Sequence, residues 1–549
     1  MSTITAGRCV AIRWMAWGPE ALARAAKEDK LILVDSGATW CHWCHVMDRM
    51  TYEDEEVAAL VNERFIPVRI DRDKLAEIDA RLQRSPAIVD SQAGGWPLTA
   101  VLTPDGHILF KATFLPPRAG GEFGASVGLI DLLNRLDAAW RANRDKIADA
   151  GRQLAAAYAA QEAQVFGRAG DVSPALLQRI VTAIKAQYDP SHGGFGAAPK
   201  FYNAPAVETL LAAAWSGDRS AMEMAAHTLE MIARGGVHDQ VGGGFHRYSV
   251  DERWHVPHFE KMAYDNAGLL AIYANASALA GRDDFAAVAR RTIAWIDRTL
   301  LDPQRRGFYA SQDADVGLDD DGDYFTWTLA EVRQAAGADA DAAIYYYDVT
   351  SDGDMHGRPG RNVLHATKTI AQAARLLNRN EDDLAAAIER ARLRMLQARD
   401  ARTAPVVDKT IFADLNGMMI DAYLTAHERL GDTAARDTAI AVLDNLLTDL
   451  RDDRGVFAHW RSEGGPQRVG MLSDQAWMAK ALVHAFALTS QGRYLDAAVK
   501  VCDHVLANLI APDGAPLSTW HGHLAREWHG HPAREWHGHL AREWHGHLA

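Results

Sequence analysis

The chain has 549 residues, more than one ordinary hydrophobic core accommodates, so two or three domains are expected. Its 48% hydrophobic and 24% charged residues are typical of a globular protein, and the formal charge of −14 argues against a nucleic-acid partner, which demands a basic surface. No apolar run approaches the length of a membrane span, and the N-terminus lacks an apolar stretch with a cleavage site, so no membrane partner and a cytoplasmic location are expected.

Residues 1 to about 120 alternate helix and strand signals. "PEALARAAKED" (19–29) reads as a helix with proline in its first turn. "LILV" (31–34) is a short apolar strand, residues 41–62 read as one helical stretch, and "FIPVRI" (65–70) is a second strand. "LTAVLT" and "HILFKAT" flank "PDG" as a hairpin, and "VGLIDLLNRLDAAWRAN" is an amphipathic helix. From about 170 to 510, Ala/Leu-rich helical segments recur at 174–187, 204–215, 219–234, 263–280, 283–301, 381–400, 415–431, 434–450, 473–490 and 493–509, with weaker ones near 328–337 and 367–377. A similar loop returns between them: "YDPSHGGFG", "VHDQVGGGF", "LDPQRRGFY" and "LRDDRGVF". This degenerate repeat of helix pairs suggests an α/α toroid, with an open solenoid as the competing arrangement. From His521 the chain repeats "HGHLAREW" with little variation, and this tail is read as idle although its H-x-H pairs could chelate metal.

The four cysteines are too few for a disulfide framework. Cys9 and Cys502 read as packed, inert thiols, whereas Cys41 and Cys44 stand in "TWCHWCHVM". Strand, short loop, C-x-x-C and helix suit dithiol chemistry. A helix starting at Cys41 would favour its thiolate, an imidazolium at His42 would add to that, and Cys44 would be the resolving thiol. The alternatives are c-type haem attachment, since "CHWCH" satisfies C-x-x-C-H, a Cys/His metal site, and a packed segment with idle thiols.

The motifs "WGPEALARAAKEDK", "CHWCHVM", "GGWPLTAVLTPDG", "GGFGAAPKF", "GGVHDQVGGGFHRYSVDERWHVPHFEKMAYDN" and "FYASQDAD" resemble the thioredoxin-domain proteins related to spermatogenesis-associated protein 20. The resemblance runs from about residue 13 to 510. It implies a thioredoxin-like domain joined to an (α/α)6 barrel of the kind seen in N-acylglucosamine 2-epimerases and six-hairpin glycosidases. It implies that Asp35 is the buried acid that assists the second thiol, and that Pro97 is the cis-proline facing the dithiol. The chain departs from the family at "IDRDKLAEID" (70–79) and "KATFLPP" (111–117), which puts the redox partner in doubt rather than the fold.

In the helical region, "GFHRYSVDERWHVPHFEKMAYDN" holds His246, His255, His258, Glu260 and Asp265 among aromatics, and "SQDADVGLDDDGDYFTW" adds Asp313 and Asp315. Loops at one mouth of a toroid would gather such residues into a cavity suited to sugar rings. Histidines could serve epimerisation and carboxylate pairs glycoside hydrolysis. Pro257 could open a helix with Glu260 in its first turn. His255, His258 and Glu260 offer zinc donors, and the bland alternative is loop and helix capping.

The expected fold is multidomain, α/β plus all-α: a thioredoxin-like domain over 1–145, a linker helix over 146–170, an (α/α) toroid over 171–515 with its ring left incomplete at the C-terminal end, and the repeat tail over 516–549. The expected function is thiol–disulfide oxidoreductase or redox sensor. The alternatives are a carbohydrate-active isomerase, epimerase or glycoside hydrolase, and a non-catalytic binding protein. Expected partners are a thiol or disulfide protein, or a small sugar-like ligand; no cofactor and no metal are expected.

Overall fold

A computed structural model describes residues 11–87, 89–90, 94–120, 125–166, 173–317, 322–462 and 465–510. Cys9, the acids at 319–321 and the repeat tail lie outside them. The chain divides into two compact units, Met1–Gly170 with His504–Ala549, and Asp171–Asp503.

The first unit is built on a six-stranded sheet. Its elements in order are β1 (Met15–Ala16), α1 (Pro19–Glu28), β2 (Ile32–Gly37), α2 (His42–Met47), α3 (Glu55–Arg64), β3 (Ile66–Asp71), α4 (Ala76–Arg84), β4 (Val89–Asp90), β5 (Leu98–Leu102), β6 (Ile108–Ala112) and α5 (Leu129–Phe166). The strand order is β1-β3-β2-β5-β6-β4, with β2 parallel to β3 and antiparallel to β5. β2 begins with three apolar residues without alternation, Ile32–Val34, because both faces are covered. Leu33 packs with Met47, Val57 and Leu133 on the side of α2, α3 and α5, while Ile32 and Val34 pack with Leu22, Ala25 and Ile78 on the side of α1 and α4. This is the thioredoxin-like arrangement. The single helix expected over 41–62 is broken instead. A π-helical turn, Asp48–Tyr52, follows α2, and Asp54 then caps α3 by accepting from the amides of Glu56 and Val57. The helix α4 buries Ile78 and Leu82, one turn apart, and α5 departs from helical geometry at Asn143.

The second unit is helical. It contains α6 (Pro174–Ala186), α7 (Ala204–Trp215), α8 (Arg219–Arg234), α9 (Ala263–Ala280), α10 (Asp283–Thr299), α11 (Leu329–Ala336), α12 (Ala340–Tyr346), α13 (Ile370–Leu377), α14 (Glu381–Asp400), α15 (Ala413–Leu430), α16 (Thr433–Asp449) and α17 (Leu472–Thr489), followed by α18 (Gly492–Asn508). α9 packs on α7 and α15, and α15 packs on α17. α9 and α15 are buried almost all round, whereas α8 and α10 bury one stripe. An apolar inner row covered by amphipathic outer helices is the α/α toroid. Apolar residues stay exposed on several helices, among them Leu177 on α6, Trp215 on α7, Leu376 on α13 and Val499 on α18.

The repeated loops have one construction. After each helix an aspartate accepts from backbone amides two to four residues on: Asp189 from Ser191 and His192, Asp239 from Val241 and Gly242, Asp302 from Gln304 and Arg306, Asp452 from Arg454 and Val456. The aromatic that closes the loop bridges back to the helix end, as in His238 with Phe245 and Leu301 with Phe308. Its backbone is then held by an amide side chain of an inner helix: Asn266 at Phe245, Asn416 at Phe308 and Gln475 at Phe457.

Candidate functional site

In the first unit the end of β2 delivers the chain to the dithiol. Cys41 is the N-cap of α2, and its sulfur accepts from the Cys44 amide at 3.2 Å. The two sulfurs form a disulfide across a Cα separation of 5.2 Å. His42 opens α2 and lies edge-on to Trp43, whose ring meets Phe114. A β-carbon at Gly37 would come within 3.2 Å of the Cys44 sulfur, so glycine there lets strand and thiol approach. Asp35, two residues earlier, shares that face of β2. Its carboxylate is buried, paired with Arg69 at 2.9 Å and approached by the Tyr52 hydroxyl at 3.4 Å. Burial pushes Asp35 up to about 6, against the opposing pull of Arg69. The Trp96–Pro97 peptide is cis, and Pro97 leads directly into β5, the neighbour of β2.

Cys41 is only 4% exposed in the disulfide. One sequence expectation needs correction here. Cys502 is an exposed thiol, not a packed one. A group the sequence reading missed surrounds the dithiol. Asp79, buried, accepts from Ser36 at 2.7 Å and from the Trp96 indole at 2.9 Å. Arg72 stacks 4.4 Å over Trp96, and Trp40, beside Cys41, donates to Asp73 at 2.8 Å. These residues come from the segment 70–79, and their signal was a tryptophan immediately before both Cys41 and Pro97.

In the helical unit a small three-stranded sheet assembles the second candidate site. Lys261–Met262 pairs with Ser311–Gln312, which pairs with Val407–Asp408. Gln312 faces Lys261, so Glu260 and Asp313 meet just beyond the strand ends. Glu260 is buried with Oε2 lacking a hydrogen bond, and burial lifts it to about 7 with Asp315 and Asp313 adding to the rise. Asp265, in the first turn of α9, likewise has a sealed, unbonded Oδ2 and is pushed up to about 8 by burial, with Arg247 opposing. His258 lies 4.0 Å from Glu260 Oε2 and stacks beside Tyr248, which stacks in turn on the exposed Phe201. Asp313 and Asp315 are buried and cap their own loop, Asp313 at the Ala314 amide and Asp315 at Gly322.

Pro257 does not open a helix. It forms a short strand, Pro257–His258, against Tyr248–Ser249, and α9 starts at Ala263, so Glu260 precedes the helix. His246 is a packing residue rather than a cavity base. Its Nδ1 bonds to the Phe259 carbonyl, its ring lies edge-on to both Phe259 and Phe325, and burial takes it down to about 3. His255 joins neither Glu260 nor Asp265. Its ring packs on His365, 3.8 Å between centroids. A further pair escaped the sequence reading: His459 Nδ1 lies 2.8 Å from Asp474, a buried acid at the start of α17 that burial lifts to about 6.

Residues 5–159 match the Thioredox_DsbH family, described as a protein of unknown function, DUF255. Spermatogenesis-associated protein 20 of Homo sapiens is 30% identical over 531 residues, covering 90% of this chain and 67% of its own length. The chain belongs to the spermatogenesis-associated protein 20 family. It spans about two thirds of the length of the curated relatives it matches. Among solved structures, a sugar epimerase from a ruminal bacterium covers 63% of this chain and 90% of itself at 16% identity and a TM-score of 0.30. A DsbH oxidoreductase covers 26% of this chain and 94% of itself at 18% identity and a TM-score of 0.20. No helix among the described residues is long and apolar enough to cross a membrane.

Proposed function

We propose that the N-terminal unit of this family member is a thiol–disulfide oxidoreductase acting on a protein partner. The observation that carries the reading is Cys41 at the N-cap of α2 with Cys44 against the same end of β2 that holds buried Asp35. In the reduced protein the helix terminus favours the Cys41 thiolate, which attacks a partner disulfide and releases one partner thiol. Cys44 gives its proton towards Asp35, attacks the mixed disulfide and releases the second partner thiol. Two electrons and two protons pass to the partner, and Cys41–Cys44 is left oxidised. Pro97 and His42 flank the exchange. The test is thiol titration and disulfide-reductase assay of the purified chain. Cys41→Ser abolishes turnover and Cys44→Ser accumulates a mixed disulfide. Equal, slow labelling of both reduced thiols at neutral pH excludes the reading.

A second reading concerns the helical unit. The sealed oxygens of Glu260 and Asp265, with His258 and the Phe201–Tyr248 stack beside them, combine near-neutral acids with an aromatic platform. That combination suits a small sugar-like ligand whose ring lies on the aromatic face. A thermal-shift screen of monosaccharides and short oligosaccharides is expected to raise the melting temperature with at least one, and Asp265→Ala or His258→Ala to remove the shift. No shift with any sugar leaves this unit as a scaffold.

A further inference from the structure

His255 stands in the loop between the Tyr248–Ser249 and Pro257–His258 strands, while Asp354 and His365 lie between α12 and α13. The fold nevertheless brings one donor atom of each to within 4.8 Å of the other two. His255 Nε2 is sealed from solvent, and its polar neighbour is Asp354 Oδ2 at 3.4 Å. Val363 orients both other groups. Its amide donates to Asp354 Oδ2 at 3.1 Å, and its carbonyl accepts from His365 Nδ1 at 3.1 Å. The proton on Nδ1 leaves the His365 Nε2 lone pair free, with Asp348 Oδ2 3.8 Å away.

We infer that His255, Asp354 and His365 bind a divalent transition-metal ion, the remaining positions being left to solvent. Two imidazoles with a carboxylate suit zinc or iron(II), not magnesium or calcium, which take all-oxygen shells. Donors around tetrahedral zinc stand about 3.4 Å apart, given bonds of about 2.0–2.2 Å. The His255–Asp354 separation has that value, and no donor pair is more than 4.8 Å apart. Oriented imidazoles backed by a carbonyl are the usual support of such a site. The side chains of Asp354 and His365 are 20% and 15% exposed, so an ion reaches the site from their side. The sequence grouped His255 with its neighbours His258 and Glu260 as zinc donors, whereas the fold brings it Asp354 and His365 from a loop about a hundred residues on.

The test uses the full oxidised chain, stripped with chelator and titrated with zinc against a chromophoric competitor. The tail histidines bind equally in every variant and cancel in the difference. The wild-type chain is expected to take up one equivalent more than His255→Ala/His365→Ala, and Asp354→Asn to weaken that equivalent at least tenfold. Zinc is expected to raise the wild-type melting temperature more than that of either variant. Equal stoichiometry and affinity in wild type and the double variant overturn the site. If the double variant does not fold, Asp354→Asn decides, and unchanged zinc affinity in it overturns the proposal.

Discussion

Asp35 illustrates how one residue's burial sets both chemistry and stability. A carboxyl held at about 6 instead of 3.8 favours the protonated native state. The native state therefore binds more protons than the unfolded one between those values, and stability falls as pH rises through them. The cost is absent below about pH 3.8 and complete above about pH 6, amounting to roughly 3 kcal/mol. Asp35→Asn is expected to remove this pH dependence. Urea unfolding at pH 4 and pH 8 checks it: the variant gains about 2–3 kcal/mol on wild type between the two values, while its thiol exchange slows. The reactive pair and its acid were legible in the sequence because C-x-x-C and the acid before it are local or fixed by family likeness. Trp40, Arg72 and Asp79 were not, because their hydrogen bonds and stacking join segments tens of residues apart.

At the scale of elements, the repeated aspartate loops are the joints of the helical unit, and their environments rank them. Asp239 is buried between Lys261 at 2.7 Å and Arg399 at 2.9 Å. Taking away one partner of a buried ion cluster leaves uncompensated charge, so Asp239→Asn is expected to destabilise by about 3–5 kcal/mol. Asp452, with the exposed Arg454, makes the same turn at the surface, and Asp452→Asn is expected to cost only about 1 kcal/mol. Asn266→Ala leaves the Phe245 amide without its acceptor and is expected to cost about 1–3 kcal/mol. Chemical denaturation of the three variants checks both order and size. The helices and the loop pattern were readable from apolar periodicity and glycine placement. The strand at Pro257 was misread because proline at a helix start and proline at a strand edge look alike until a partner strand is known.

For the molecule as a whole, the acids lifted by burial imply a common pH response of the helical unit. Glu260 at about 7, Asp265 at about 8 and Asp474 at about 6 all favour the protonated native state. These acids lower stability as pH rises from about 5 to 8, against His246 and Lys261, which burial holds down to about 3 and about 7 and which raise it. Calorimetry at pH 5 and pH 8 is expected to show Glu260→Gln and Asp265→Asn each gaining several degrees on the wild type between the two values.

The sequence by itself determined the two-part architecture, because apolar strands, amphipathic helices and turn residues are written in short periods that each segment satisfies alone. It also determined the dithiol, whose two sulfurs lie within one turn of helix. Tertiary structure alone decided which of the many histidines and acids became packing groups, as with His246, and which became unbonded buried donors, as with Glu260 and Asp265. Those roles depend on desolvation and on partners from distant loops, and neither quantity exists until the chain has closed around them.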